Sequence, residues 1–148
     1  MKVKLKVLGE EHPDTATTLN NIAIVYESQG RYEDALEHYG RALKVKLKVH
    51  GEEHPSTAGT LNNIAGVYDS QGRYEEALEH YGRALKVRLK VHGEEHPETA
   101  TTLNNIAIVY RSQGRYEEAL EHFGRALKVT LKVHGEEHPS TEIGRAHV

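Results

Sequence analysis

The chain of 148 residues contains no cysteine and no tryptophan. Without cysteine it cannot form disulfides, use a thiol in catalysis or bind zinc through thiolates. Its longest apolar runs, such as Ile22–Tyr26, are far shorter than a membrane span. Positive charge is not in excess either, with 19 Lys and Arg against 22 Asp and Glu. We therefore expect a soluble cytoplasmic protein that binds neither nucleic acid nor membrane.

What the chain does contain is one 42-residue unit in three near-identical copies, each differing from the next at six or seven positions. The copies occupy residues 8–49, 50–91 and 92–133. Residues 1–7 match the end of such a unit and residues 134–141 match its beginning, so we interpret the chain as part of a longer array. The closing EIGRAHV, residues 142–148, breaks the pattern and matches one reading frame of a sequencing adapter, so we treat it as an artefact.

Each unit has the apolar spacing of two helices. In the first copy, four apolar residues from Leu19 to Tyr26 recur at i, i+3, i+4 and i+7, which places them on one helix face. Pro13 suits the first turn of this helix and Gly30 suits its end. A second periodic set follows the glycine. Residues 44–49, KVKLKV, alternate like a strand but continue the pattern of the second helix, so we predict helix and keep the strand as the alternative.

Stacking of these units predicts a solenoid, because a lone helical hairpin cannot bury its apolar face. The 42-residue period also suits HEAT and armadillo repeats. The residues that decide between the families are Leu19, Ile22, Ala23, Tyr26, Gly30, Tyr32, Ala35, Tyr39 and Ala42. They fall at the signature offsets of the tetratricopeptide repeat (TPR), and the whole unit resembles the repeats of kinesin light chains. The resemblance implies an all-α fold, a right-handed TPR superhelix (α–α solenoid) of three complete helical hairpins with partial repeats at both ends.

The resemblance further implies that the first helix of each unit lines a concave groove, where the asparagines of LNN hydrogen-bond a peptide backbone. Within this helix, the positions that differ between copies share its non-core face, so we predict that they set side-chain preference. Gly59 and Gly66 would open space for a bulky ligand side chain, and charge runs from Glu27 through Asp69 to Arg111. The alternative is a solvated face on which substitution costs little. The predicted peptide-binding residues are Thr17, Asn20, Asn21, Ile24, Glu27, Gly59, Asn62, Asn63, Gly66, Asp69, Thr101, Asn104, Asn105, Ile108 and Arg111.

Other motifs give weaker signals. The pair His50 and His54 recurs in later copies, but it lies in a loop and lacks the helical HExxH spacing, so we predict solvated histidines and no metal. The pair Glu52 and Glu53 also recurs, whereas an active site needs one asymmetric constellation. We therefore predict a non-enzymatic scaffold or adaptor with no cofactor, which binds a protein or peptide and self-associates through uncapped ends. The alternative is a spacer or sensor arm of a larger protein whose catalytic or motor domain lies outside this chain.

Overall fold

A computed structural model describes residues 12–134 of the chain, and helices joined by short turns and loops make up that range, with no strand in it. Its helices form three hairpins, in which α1, α3 and α5 are the first members and α2, α4 and α6 the second. They are α1 Pro13–Ser28, α2 Tyr32–His50, α3 Pro55–Ser70, α4 Tyr74–Val91, α5 Pro97–Ser112 and α6 Tyr116–His134. The predicted all-α fold class is confirmed.

The alternating segment 44–49 lies inside α2, so the helix prediction is confirmed and the strand alternative is wrong. The alternation does not indicate a strand, because Val45 is buried with Tyr39 and Ala42 on the core face of one continuous helix. The predictions for residues 1–7 and 142–148 fall outside the described residues, as does nearly all of 134–141.

The chain divides into two compact units between Val87 and Arg88. The first unit contains α1, α2, α3 and most of α4, and the second contains α5 and α6 after the last residues of α4.

Histidines start the first helix of each hairpin. His12, His54 and His96 each accept a hydrogen bond of 3.0 Å at Nδ1 from the backbone N–H two residues later. A neutral imidazole with its proton on Nε2 can do this, so the ring satisfies one of the free N–H groups of the first helical turn. The rings of His50 and His92 stack on two of these caps, with centroids 4.1 and 4.0 Å apart. We predicted that His54 and His96 are solvated loop histidines, and their capping role differs from that expectation.

A clamp of three side chains fixes the turn within each hairpin. Gly30 adopts φ +75°, and the N–H of Arg31 donates to the carbonyl of Tyr26 at 2.8 Å. The Arg31 guanidinium lies 4.4 Å from the centre of the Tyr26 ring and pairs with Asp34 at 2.9 Å. The same arrangement recurs in the other two hairpins. This repeated turn sets the two helices of every hairpin antiparallel at short range.

The core of the first unit joins α3 to the preceding hairpin. Ala23, Ala35 and Tyr39 form a buried cluster with Ile64 and Val67 of α3. The alanines allow close approach of the helices, and the larger residues fill the remaining space. In the second unit α5 packs against α6. In the first unit this packing sets α3 beside the α1–α2 hairpin, which brings together the two faces that carry predicted binding residues.

Candidate functional site

The predicted residues of the first unit lie along α1 and α3 at matching positions. The exposed ones are Thr17, Asn21, Ile24 and Asn63, and the half-buried ones are Asn20, Glu27, Gly59, Asn62, Gly66 and Asp69. The half-buried set is the part of the predicted face that meets neighbouring side chains. Its contacts decide what the face can do chemically.

Asn20 and Asn62 carry polar atoms without partners. The amide of Asn20 donates to the hydroxyl of Thr60 on α3 at 3.4 Å, which ties α1 to α3. The Oδ1 atoms of Asn20 and Asn62 are buried and accept no hydrogen bond from any described residue. A buried acceptor without a donor costs about 1–3 kcal/mol, and a water or a ligand N–H can supply the missing bond.

Glu27 has an intramolecular partner that the sequence analysis missed. The Tyr39 hydroxyl donates to Oε1 of Glu27 at 2.9 Å. Burial raises the pKa of Tyr39 well above its usual value, and the hydrogen bond and charge of Glu27 raise it further. One carboxylate oxygen of Glu27 therefore already accepts a hydrogen bond within the protein, whereas the sequence predicted a charge available to a ligand. Periodicity assigned Tyr39 to the core and gave no signal for its hydroxyl.

The matching position in the second hairpin behaves differently. Asp69 is half-buried, and this burial raises its pKa above the usual range. Tyr81, which corresponds to Tyr39, is only 6% exposed. A Cβ atom added to Gly66 would lie 3.6 Å from the Tyr81 hydroxyl, in ordinary van der Waals contact. Because Gly66 has no side chain, the space next to the Tyr81 hydroxyl on this side stays open.

The predicted residues of the second unit all lie on α5. Thr101, Asn104 and Arg111 are exposed, and Asn105 and Ile108 are half-buried. The Thr101 hydroxyl donates to the carbonyl of Pro97 at 3.1 Å within its own helix. Position 123, where the other copies have tyrosine, is phenylalanine. The third repeat therefore has no counterpart of the carboxylate and hydroxyl found in the first two.

Some differences between the copies belong to structural pairs outside the predicted face. Arg88, almost fully buried, pairs with Glu98 at 3.8 Å. At the corresponding positions of the preceding copy, the Lys46 ammonium donates to the backbone carbonyl of Ser56 at 3.2 Å, and burial lowers the pKa of Lys46. The residue near the end of one repeat and its contact at the start of the next repeat thus differ together between the copies. An internal comparison of positions 46 and 56 with 88 and 98 could have found this signal.

A cavity of about 220 Å³ lies elsewhere in the second unit. It is lined by Leu89, Leu103 and Val129 together with an ion pair between Lys132 and Glu95 at 2.8 Å. No residue of the predicted face lines it. This cavity is therefore separate from the candidate peptide-binding residues.

Two further properties concern only the described part of the chain. No helix there is both long and apolar enough to cross a membrane. Over the same residues, no three His, Asp or Glu side chains come together as a group that could hold a metal ion.

A sequence model for the tetratricopeptide repeat matches most of the chain in overlapping segments. The matched residues are 1–48, 14–90, 56–132 and 103–143. A comparison with proteins of curated function gave no match.

Solved structures from two organisms have the same fold. BtubC (BKLC) from P. vanneervenii is 28% identical, with a TM-score of 0.85 over 93% of this chain and 55% of its own. A point variant of a candidate kinesin light chain from Podosopora anserina, with nearly identical TPR-like repeats, is 26% identical, with a TM-score of 0.80 over 95% and 66%. The chain thus spans between about half and two thirds of the length of these two proteins.

A further structure, the N-terminal domain of stress-induced protein-1 (STI-1) from C. elegans, shows the same fold at lower identity. It is 20% identical, with a TM-score of 0.64 over 82% of this chain and 93% of its own. The predicted resemblance to TPR repeats, including those of kinesin light chain proteins, is confirmed.

Proposed function

Because the chain belongs to the tetratricopeptide repeat family, we propose that it is a non-enzymatic scaffold or adaptor that holds a partner's peptide. The peptide lies in extended form on the face that α1 and α3 present in the first unit. Asn104 and its neighbours on α5 offer the same chemistry within the second unit. We assign this role to the cytoplasm, with no cofactor.

The observation that carries the proposal is the pair of unpartnered amide oxygens on Asn20 and Asn62. The two residues occupy the same position in successive repeats, so their amides are spaced along the face at the period of the fold. An amide offers both a donor and an acceptor, and it carries no charge that binding must desolvate. An extended peptide backbone supplies the complementary groups at regular intervals. Because both oxygens are buried in the chain alone, the two side-chain amides turn toward the face when they pair with the peptide.

The exposed neighbours support the same role. Ile24 is 47% exposed beside Asn20 and Asn21, which gives an apolar surface next to amide groups. Ligand sites commonly combine apolar contact area with a small number of placed polar groups. This combination suits a peptide whose backbone is held by asparagine and whose side chains contact the variable residues.

A peptide-array screen of the purified chain tests the proposal. The comparison protein is an Asn20→Ala/Asn62→Ala/Asn104→Ala variant, whose helicity is first checked by circular dichroism. We expect a shared pattern among peptides that bind the wild type and a loss of about tenfold or more in their affinity for the variant, because the lost bonds are central to the site. If no peptides are enriched, or both proteins retain them equally, the chain is better described as a spacer.

A further inference from the structure

We propose that an acidic notch in the first unit, formed by Glu27, Gly66, Asp69 and Tyr81, holds a lysine or arginine side chain of the bound peptide. This inference rests on the proposed peptide-binding function and names the chemistry that the peptide must carry. The notch belongs to the second hairpin, with one carboxylate contributed by α1. Four features of these residues support it.

The first feature is a hydroxyl without a partner on a buried tyrosine. Tyr81 is 6% exposed, and no described residue forms a hydrogen bond with its hydroxyl. In the first hairpin the corresponding Tyr39 hydroxyl donates to Glu27. The second hairpin has Asp69 at the position of Glu27, and the aspartate is one methylene shorter. The shorter carboxylate leaves the Tyr81 hydroxyl available to a group from outside.

The second feature is access. Every side chain larger than hydrogen at position 66 would extend from a Cβ atom 3.6 Å from the Tyr81 hydroxyl. The other two copies have isoleucine at this position, as Ile24 and Ile108. A glycine in the middle of a helix lowers the stability of the helix relative to alanine. The space above Tyr81 is therefore present at a cost to the stability of α3.

The third feature is negative charge without a compensating cation. Asp69 and Tyr81 occupy the positions of Glu27 and Tyr39, which are in direct contact in the first hairpin. Burial raises the pKa of Tyr81 to about 12, and the charges of Asp69 and Glu27 contribute to this rise. Asp69 forms no ion pair or side-chain hydrogen bond with the described residues, and its burial disfavours the charged form. A cation placed between these groups would offset that cost.

The fourth feature is the match between this set and a basic side chain. An ammonium group has three donors and no acceptor, and the notch presents three acceptors on Glu27, Asp69 and Tyr81. The aliphatic stem of a lysine or arginine fits an approach over a glycine. The third repeat has Ile108, Arg111 and Phe123 at the corresponding positions. There the space, the negative charge and the hydroxyl are all replaced, so the notch is particular to the second hairpin.

The test is an array of acetylated, amidated nonapeptides in four matched sets. Their central residue is Lys, Arg, Gln or Glu, and the other positions are random uncharged residues. We expect the wild type to bind the Lys and Arg sets about tenfold more tightly than the Gln set, and the Glu set least. Binding is measured at low and high salt, because a contribution from the notch charges weakens with screening.

Three variants separate charge, space and nonspecific effects. Glu27→Gln/Asp69→Asn removes the charge and should reduce the preference for Lys over Gln to within about twofold. Gly66→Ile, which copies the other repeats, closes the space with the charges unchanged and should also remove the preference. Glu37→Gln/Glu79→Gln removes two exposed carboxylates outside the notch and should leave it unchanged. Circular dichroism checks that each variant is folded.

Each outcome decides a different question. The inference is supported if the preference for Lys and Arg is lost in both notch variants and kept in the Glu37→Gln/Glu79→Gln control. Peptides that depend on Asn20 and Asn62 but show no preference for Lys or Arg overturn the inference and leave the proposed function standing. A preference that persists in Glu27→Gln/Asp69→Asn also overturns it. Absence of binding to every set overturns both.

Discussion

The α1–α2 and α5–α6 hairpins have nearly the same sequence but different surroundings. Leu43 of α2 is half-buried against a cluster that includes Leu61 and Ala84 of the following hairpin. Its counterpart Leu127 on α6 is 58% exposed. The same leucine in the same local helix is thus covered in one repeat and open in another. In a repeat protein the following unit, more than the residue's own segment, decides burial.

A second difference between the two hairpins lies in their side-chain pairs. The first hairpin has the bonded pair of Glu27 and Tyr39, and the third has Arg111 and Phe123 at these positions. The repeat with a carboxylate at the first position has a tyrosine hydroxyl at the second, and the repeat with an arginine at the first has a phenylalanine ring at the second. Near-identical repeats can therefore differ as matched pairs, so a single difference should be interpreted together with its contact.

The largest expected effect contrasts the two leucines. Leu43→Ala removes packing against the following hairpin and should cost about 2 kcal/mol, the low end for buried leucines because Leu43 is partly exposed. Leu127→Ala removes an exposed side chain and should change stability by less than about 0.5 kcal/mol. Urea denaturation of both variants provides the measurement. Equal losses would contradict the assignment of burial to the following unit.

The next effect should be the same in both hairpins, because their helix caps are alike. His12→Ala and His96→Ala each remove the acceptor for a first-turn N–H and should cost about 1 kcal/mol. Asparagine is a favourable capping residue, so His12→Asn and His96→Asn should retain most of the stability. Thermal denaturation at neutral pH checks all four variants. An alanine variant as stable as wild type would show that the histidine cap contributes nothing.

A third effect, no larger than that of the caps, separates the two tyrosines of the first unit. Tyr39→Phe removes the hydrogen bond to Glu27 and should cost about 1 kcal/mol. Tyr81→Phe removes a hydroxyl that donates to no described residue, so its cost should stay below about 0.5 kcal/mol. Urea midpoints of the two variants give the comparison. A larger loss for Tyr81→Phe would mean that its hydroxyl has a stabilising partner in solution.

The smallest effect concerns the pH dependence of stability. Burial raises the pKa of Asp69 in the folded chain above its unfolded value, so the folded chain holds this proton more tightly. Its contribution to stability is greatest below the unfolded pKa and is lost as pH rises through the folded value. Asp69→Asn should therefore raise the melting temperature at neutral pH by no more than a few degrees. The difference between variant and wild type should shrink toward acidic pH, and a difference that grew instead would reverse the sign assigned here.

The sequence predicted the helices well because their signals are local and occur three times. The Leu19–Tyr26 spacing and the proline lie within one helix, and the turn glycine follows just after it. The histidine caps were missed because Ser, Thr, Asp and Asn are the usual residues at this position. An imidazole acceptor becomes evident only when its distance to a backbone N–H is known.

The candidate site was predicted less completely because its chemistry depends on contacts between distant residues. Periodicity places Glu27 on a non-core face and Tyr39 in the core, and it says nothing of the bond between them. The partnerless oxygens of Asn20 and Asn62 depend on how α1 and α3 pack. The peptide-binding role of these residues stays a prediction until it is measured.

The pairing of Arg88 with Glu98 has a consequence for genes that gain or lose repeats by recombination. This contact joins the end of the second repeat to the start of the third repeat. Excision of residues 50–91 would bring Lys46 to the same separation from Glu98, again a cation opposite a carboxylate. The junction would tolerate the loss, whereas Gly66 and Asp69 would disappear with the excised copy. Under the proposed function, a change in repeat number would then alter the peptide that is bound while the fold persists.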